Sequence, residues 1–217
     1  FNEEQSQTVH EKFHHQVIFT SRIPKILAEH GLDVERVANE HHYGLLEREL
    51  PDLCADRLDY FLRDTLLLGI NTPQDCREIV DALTVYQNEI VMNNMAVAKK
   101  AAERFLDAGR QFWTSPLQAG SHMLMGNILR DALTQGTIEE KDFFLTDHEL
   151  LGKLNSPRLR EALGRLQHLE GGSREEHSLH AQVKARYINP KVMVNGSMKR
   201  VTDIFPEVQE GIDTLVT

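Results

Sequence analysis

The stretch that most constrains this chain is Pro51-Asp52-Leu53-Cys54-Ala55-Asp56-Arg57-Leu58-Asp59-Tyr60-Phe61-Leu62-Arg63-Asp64, dense in charge yet spaced like a helix that must pack. At helical spacing Asp56, Tyr60 and Asp64 stand at i, i+4 and i+8 and drift over only about 80° of one face. Leu58, Phe61, Leu62 and Thr65 take the opposite side. An amphipathic helix with a solvated polar face shows the same spacing. The pattern therefore leaves two meanings open: an exposed surface, or two carboxylates and a phenol aligned beside Arg57 to hold a metal ion and a phosphorylated ligand.

The ten residues Ala55-Asp56-Arg57-Leu58-Asp59-Tyr60-Phe61-Leu62-Arg63-Asp64 resemble the helix that closes the metal site of HD-domain phosphohydrolases, in the branch of the deoxynucleoside triphosphate triphosphohydrolases. That family binds its metal with a His, a His-Asp pair and a distant Asp. The resemblance implies that Asp56 is the last metal ligand, that Arg57 contacts phosphate, and that Tyr60 and Asp64 contact the nucleotide. His10-Glu11, within Thr8-Val9-His10-Glu11-Lys12, is similar to the family's Thr-His-Glu step at the catalytic face, with Val9 interrupting it. The resemblance also implies a divalent metal ion (Mg, Mn, Fe, Ni or Zn), a nucleotide or other phosphate-ester substrate, and a homo-oligomer.

The chain departs from that pattern in two ways. It contains no His-Asp dipeptide, so the expectation is an N-terminally incomplete HD domain, with one of its metal ligands in hand and inactive alone. Aligning Gly126-Asn127-Ile128 with the family's Gly-Asn-Ile puts Leu117 where a stacking tyrosine belongs, and leaves Arg110 to approximate an arginine contact. Deoxynucleotide specificity does not follow.

The 217 residues can bury a good core in one domain with a small appendage. No apolar run approaches the roughly 20 residues of a membrane span. Two cysteines, Cys54 and Cys76, do not make a disulfide scaffold, and a cytoplasmic setting is expected. A net charge of −9 argues against general nucleic-acid binding. There is no Cys-x-x-Cys, Walker loop, Gly-x-Gly-x-x-Gly or Gly-x-Ser-x-Gly.

Punctuation divides the chain into helices. Helix is expected over 3–30, divided at Pro24, with Gly31 following it and Asp33 opening a short helix. The motif helix should open at Pro51-Asp52 and run to Gly69, and Thr72-Pro73 should start the next, ending near Ala82. Residues 83–92 read as a hairpin around Gln87-Asn88-Glu89. Helices are expected over 95–113, 117–134, 147–154 after the capping box at Thr146, and 157–169. Gly171-Gly172-Ser173 reads as a linker, 182–188 and 191–194 as strand-like, and 202–215 as a last helix. The basic pairs Lys99-Lys100 and Lys199-Arg200 read as solvated.

Adjacent histidines, His14-His15 and His41-His42, point about 100° apart on a helix and cannot chelate one ion together. His10 and His14 are spaced i, i+4 and could join Asp56 in a three-ligand site.

The expected protein is mostly α: an HD-type helical domain over 1–170 with a small β-hairpin, and a short α/β accessory segment over 171–217. The expected function is a metal-dependent phosphohydrolase. The alternative is a catalytically inactive HD-like scaffold that serves as a binding or regulatory module.

Overall fold

A computed structural model describes residues 9–39, 42–168 and 185–216, the side chains of 9–12, 165–168 and 216 excepted. The chain is mostly helical, with one small sheet. It divides into two compact units, Phe1–Ala102 with Ile188–Val208, and Glu103–Tyr187 with Gln209–Thr217.

In the first unit, α1 (Val9–Thr20) and α2 (Ile23–Glu29) are separate helices. The break falls at Ser21-Arg22, and Pro24 sits in the first turn of α2, where a missing N–H costs nothing. Gly31, at φ +68°, ends α2. Its N–H donates to Ala28 O (3.0 Å) and that of Leu32 to Leu27 O (2.9 Å), the paired bonds of a Schellman turn. Asp33 caps α3 (Val34–Ala38) by accepting from Glu35 N–H.

The motif helix α4 spans Ala55–Leu67. Its start corrects the expected opening at Pro51-Asp52. Leu53 bridges to Ile90, and the Ala55 and Asp56 N–H groups donate to Leu45 O (2.8 Å) and Leu46 O (3.1 Å). Extended pairing therefore holds the chain up to the extended Cys54, and helix can form only beyond it. Leu58, Phe61 and Thr65 are buried as the apolar face requires, and Arg57 is buried with them.

Thr72 caps α5 (Pro73–Asp81) in a full capping box with Asp75. Strands β1 (Leu83–Tyr86) and β2 (Glu89–Met92) pair antiparallel. Both turn residues, Gln87 and Asn88, take positive φ, so the loop is two residues long and Glu89 belongs to the strand.

The sheet has two further strands. β3 (Lys191–Val194) runs parallel to β2 with Met92 opposite Val192, and β4 (Ser197–Arg200) runs antiparallel to β3, giving the order β1-β2-β3-β4. The β3–β4 turn is Asn195-Gly196, both at positive φ. Of the expected 182–188 strand, 185–188 is not strand and the rest, like the Gly171-Gly172-Ser173 linker, lies outside the described residues. The expected last helix is divided at Phe205 into α10 (Val201–Ile204) and α11 (Pro206–Val216), because Pro206 cannot continue the hydrogen-bond ladder.

The expected 95–113 helix is α6 (Met95–Ala108) followed by a π-helical turn, Gly109–Trp113. In the second unit, α7 (Pro116–Thr134) and α9 (Pro157–His168) pack together, with a 3-10 turn (Glu140–Phe144) and α8 (Asp147–Lys153) between them in sequence. Ile128, Ala132, Ile138, Leu154 and Leu159 form their buried core.

The lysine pair is not simply solvated. Lys99 pairs with Glu207 at 2.6 Å, and Lys100 pairs with Asp75 and with Glu78 at 3.2 Å. Asp75 thereby joins the α5 cap to α6. The Lys100 ammonium, then the Thr72 N–H and hydroxyl, hold its carboxyl well below the usual range. A carboxyl lowered on folding contributes stability above the unfolded value near 4, and that contribution is lost as pH falls below it. Asp75→Asn should flatten the acid limb of a urea-midpoint-against-pH curve below about pH 4. Thr72→Ala, read by urea denaturation at neutral pH, should cost about 1 kcal/mol.

Candidate functional site

Asp56 lies in the first turn of α4, exposed, and its carboxylate makes no hydrogen bond or salt bridge among the described residues. Tyr60 and Asp64 follow on the same face, both half-buried. The structure thus places three of the sequence-derived site residues along one line of α4. His10 and Glu11 lie on α1, and their side chains are outside the described set.

Arg57 is turned the other way. It is only 7% exposed, and its guanidinium is committed to the loop before α4. Nη1 donates to the Asp52 carbonyl, and Nη2 to the Arg48 carbonyl at 2.9 Å, with the Glu47 carboxylate 3.4 Å away. Its buried Nε has no partner among the described residues. The inward direction follows from chain geometry, because the loop doubles back beside the start of α4 to pair with Ala55 and Asp56. That leaves its carbonyls in want of donors, and one forked cation satisfies two of them.

The same loop is gripped from the sheet. Arg48 donates through Nε to Gly44 O (2.8 Å) and through Nη2 to Asn88 O (2.6 Å), and pairs with Glu89 at 3.4 Å. Lys191 on β3 pairs with Glu89 and lies 3.9 Å from Asp52. Arg200 on β4 pairs with the Asp52 carboxylate and donates to Asn189 O at 2.9 Å. Asn189 N–H in turn donates to Pro51 O at 3.0 Å. Four cations and three carboxylates therefore interlock, and Arg200 is no solvated partner of Lys199.

Cys54 lies fully buried at this junction, its Sγ 3.7 Å from Glu47. Burial pushes its thiol up, against smaller lowering effects from Arg57 and Arg48, so it stays protonated and unreactive at neutral pH.

Two clefts lie elsewhere. In the first unit His15, Asp33, Glu35, Arg36, Asn39 and His42 line an open space of about 830 Å³. His15 stacks on Phe19 (5.5 Å, 22°) and stands edge-on to His14 (6.4 Å, 87°), so the adjacent pair diverges as helical geometry requires. In the second unit a space of about 360 Å³ opens over Leu124, Ile128 and Leu159, with Arg158 paired to Asp131 at 2.8 Å. Arg110, the approximate arginine contact, donates to the Gly211 carbonyl at 2.7 Å.

Among the described residues no group of three His, Cys, Asp or Glu side chains could hold a metal ion. Asp56 could supply one carboxylate donor to such a site: it is open to solvent, in the first turn of a helix clamped at that same end. Among the described residues, no helix is long and apolar enough to cross a membrane.

Comparison with known proteins bears on this geometry. Over 199 residues the chain is 27% identical to the metal-dependent phosphohydrolase cns2 of Cordyceps militaris, covering 86% of this chain and 57% of that one. The chain is distantly related to a metal-dependent phosphohydrolase. Over 214 residues it is also 26% identical to the uncharacterized protein YdhJ of Bacillus subtilis, covering 96% of this chain and 66% of the relative. The chain thus spans less than two thirds of the length of these relatives. No family model and no solved structure matches it.

Sequence reasoning missed Arg48, Asp52, Glu89, Lys191 and Arg200, which form the frame around the motif. Only Asn195-Gly196, a strong two-residue hairpin signal, could have located β4 and hence Arg200. Because Arg57 carries that frame, Arg57→Ala should lower the unfolding free energy by about 3 kcal/mol in urea denaturation, since it strands buried carbonyls. Arg57→Lys should recover only part of this, since an ammonium lacks the fork that spans both carbonyls.

Proposed function

We propose that this chain is part of an HD-type, metal-dependent phosphohydrolase acting on a nucleotide or another phosphate ester. The observation that carries the reading is the exposed Asp56 carboxylate in the first turn of a clamped helix, with no hydrogen bond or salt bridge among the described residues, and with Tyr60 and Asp64 on the same face. The distant likeness to a protein named a metal-dependent phosphohydrolase supports it.

In this reading Asp56 is one ligand of a divalent metal ion, and further donors come from outside the described residues. A bound divalent ion at such a site supplies a water of lowered pKa and a Lewis acid for the phosphoryl oxygen. Tyr60 and Asp64 orient the substrate by hydrogen bonding. His10, followed by Glu11, would exchange a proton with the attacking or leaving oxygen. Arg57 was expected to contact phosphate. Its buried clasp on the Arg48 and Asp52 carbonyls favours a different part for it, that of holding the loop on which α4 rests.

The alternative of an inactive scaffold draws on the lack of a three-donor cluster among the described residues. One experiment separates the two. The whole protein containing this chain is assayed for bound divalent metal and for hydrolysis of nucleoside triphosphates and p-nitrophenyl phosphate, beside its Asp56→Ala variant. The enzyme reading expects metal in the parent, and a loss of at least about 100-fold in turnover with loss of metal in the variant, one ligand of few having gone. Equal turnover in both would sink the assignment of Asp56, and metal-free, inactive parent protein would favour the scaffold.

A further inference from the structure

The frame behind α4 connects a residue near the C-terminal end of the chain to the first turn of the motif helix. Arg200 on β4 holds the Asp52 carboxylate and the Asn189 carbonyl, and Asn189 N–H holds Pro51 O. Asp52 presents its own carbonyl to Arg57, and Arg57 reaches back from α4 to Arg48 O. Two residues before Arg48, Leu46 O accepts the N–H of Asp56. Every link is a hydrogen bond or a charge-assisted pair within the first unit. All its polar side chains are mostly shielded: Asp52 is 25% exposed, Arg200 29% and Arg57 9%.

We infer that Arg200 is a positioning residue for Asp56, acting through Asp52, Arg57 and the 44–52 loop, so that the C-terminal strand pair is part of the apparatus that aims the metal-binding carboxylate. The inference rests on the reading of Asp56 as a metal ligand. Its physical basis is the placement of that carboxylate. Asp56 is in the first helical turn, where no intrahelical bond anchors its N–H, so the loop carbonyl at Leu46 fixes its backbone. The loop keeps that carbonyl in place only while Arg57 and Arg200 hold its other end. Arg200 does this through one nitrogen: Nη1 donates to both the Asp52 carboxylate and Asn189 O, and so holds Asp52 against the sheet.

The test uses the whole protein and Mn²⁺ alone as the probe, its affinity read by titration with electron paramagnetic resonance. Arg200→Gln should weaken Mn²⁺ binding by about 10-fold, the low end of the range for residues that orient metal ligands. It should also speed hydrogen exchange at the Ala55 and Asp56 amides and leave the α5 amides protected. Arg200→Lys keeps the pairing charge and should lose no more than about 3-fold, which keeps the test open if the glutamine variant fails to fold.

The deciding measurement is a double-mutant cycle with Asp56→Asn. If Arg200 acts through Asp56, Arg200→Gln adds nothing to the loss caused by Asp56→Asn. Additive losses, or a folded Arg200→Gln protein with unchanged Mn²⁺ affinity, would overturn the inference while leaving Asp56 in place as a ligand. Parent-like Mn²⁺ affinity in Asp56→Asn would overturn the site reading and the inference together.

Discussion

One buried guanidinium organises the first unit. Arg57 sits almost wholly out of water and spans the carbonyls of Arg48 and Asp52. A charge in that position is costly unless each donor finds an acceptor, and backbone carbonyls of a loop with no ladder of its own are natural acceptors. The two needs meet. The cation gains acceptors it could not find among the apolar residues beside it on α4, and the loop gains the donors that let it pack against a helix.

That clasp would be weak on its own, because a lone loop can peel away with its carbonyls. The sheet prevents this by holding the same loop from the other side through Arg48–Glu89, Lys191–Asp52 and Arg200–Asp52. Individually such pairs are worth little when exposed to solvent. Here they are only a quarter to a third exposed and share partners, so breaking one leaves another unbalanced. The result is a stiff support behind α4 and an open front, where Asp56 faces solvent.

Much of the fold was legible in local chemistry. Pro24, Gly31, Asp33, Thr72, Thr146 and Ser156-Pro157 each marked a helix boundary, because caps and breakers act within a few residues of themselves. Errors came where distant chain intervened. The motif helix starts three residues beyond Asp52 because Leu53 is pulled into a bridge with Ile90. Strand β4 was missed because Ser197-Met198-Lys199-Arg200 has little strand character of its own and exists by pairing with β3. At the candidate site, the alignment of Asp56, Tyr60 and Asp64 followed from spacing, and the inward turn of Arg57 did not.

By itself the sequence determined that α4 is a helix with an apolar face at Leu58, Phe61 and Thr65 and an acidic line opposite, since helical periodicity depends on nothing beyond neighbouring residues. It also carried the motif that marks Asp56 as a ligand candidate. Only the tertiary structure decided what Arg57 does and which residues stand behind it. Asp52, Glu89, Lys191 and Arg200 meet across as many as 148 positions of chain. Charge pairing at that separation is set by how strands register and loops close, and no local pattern of residues encodes it.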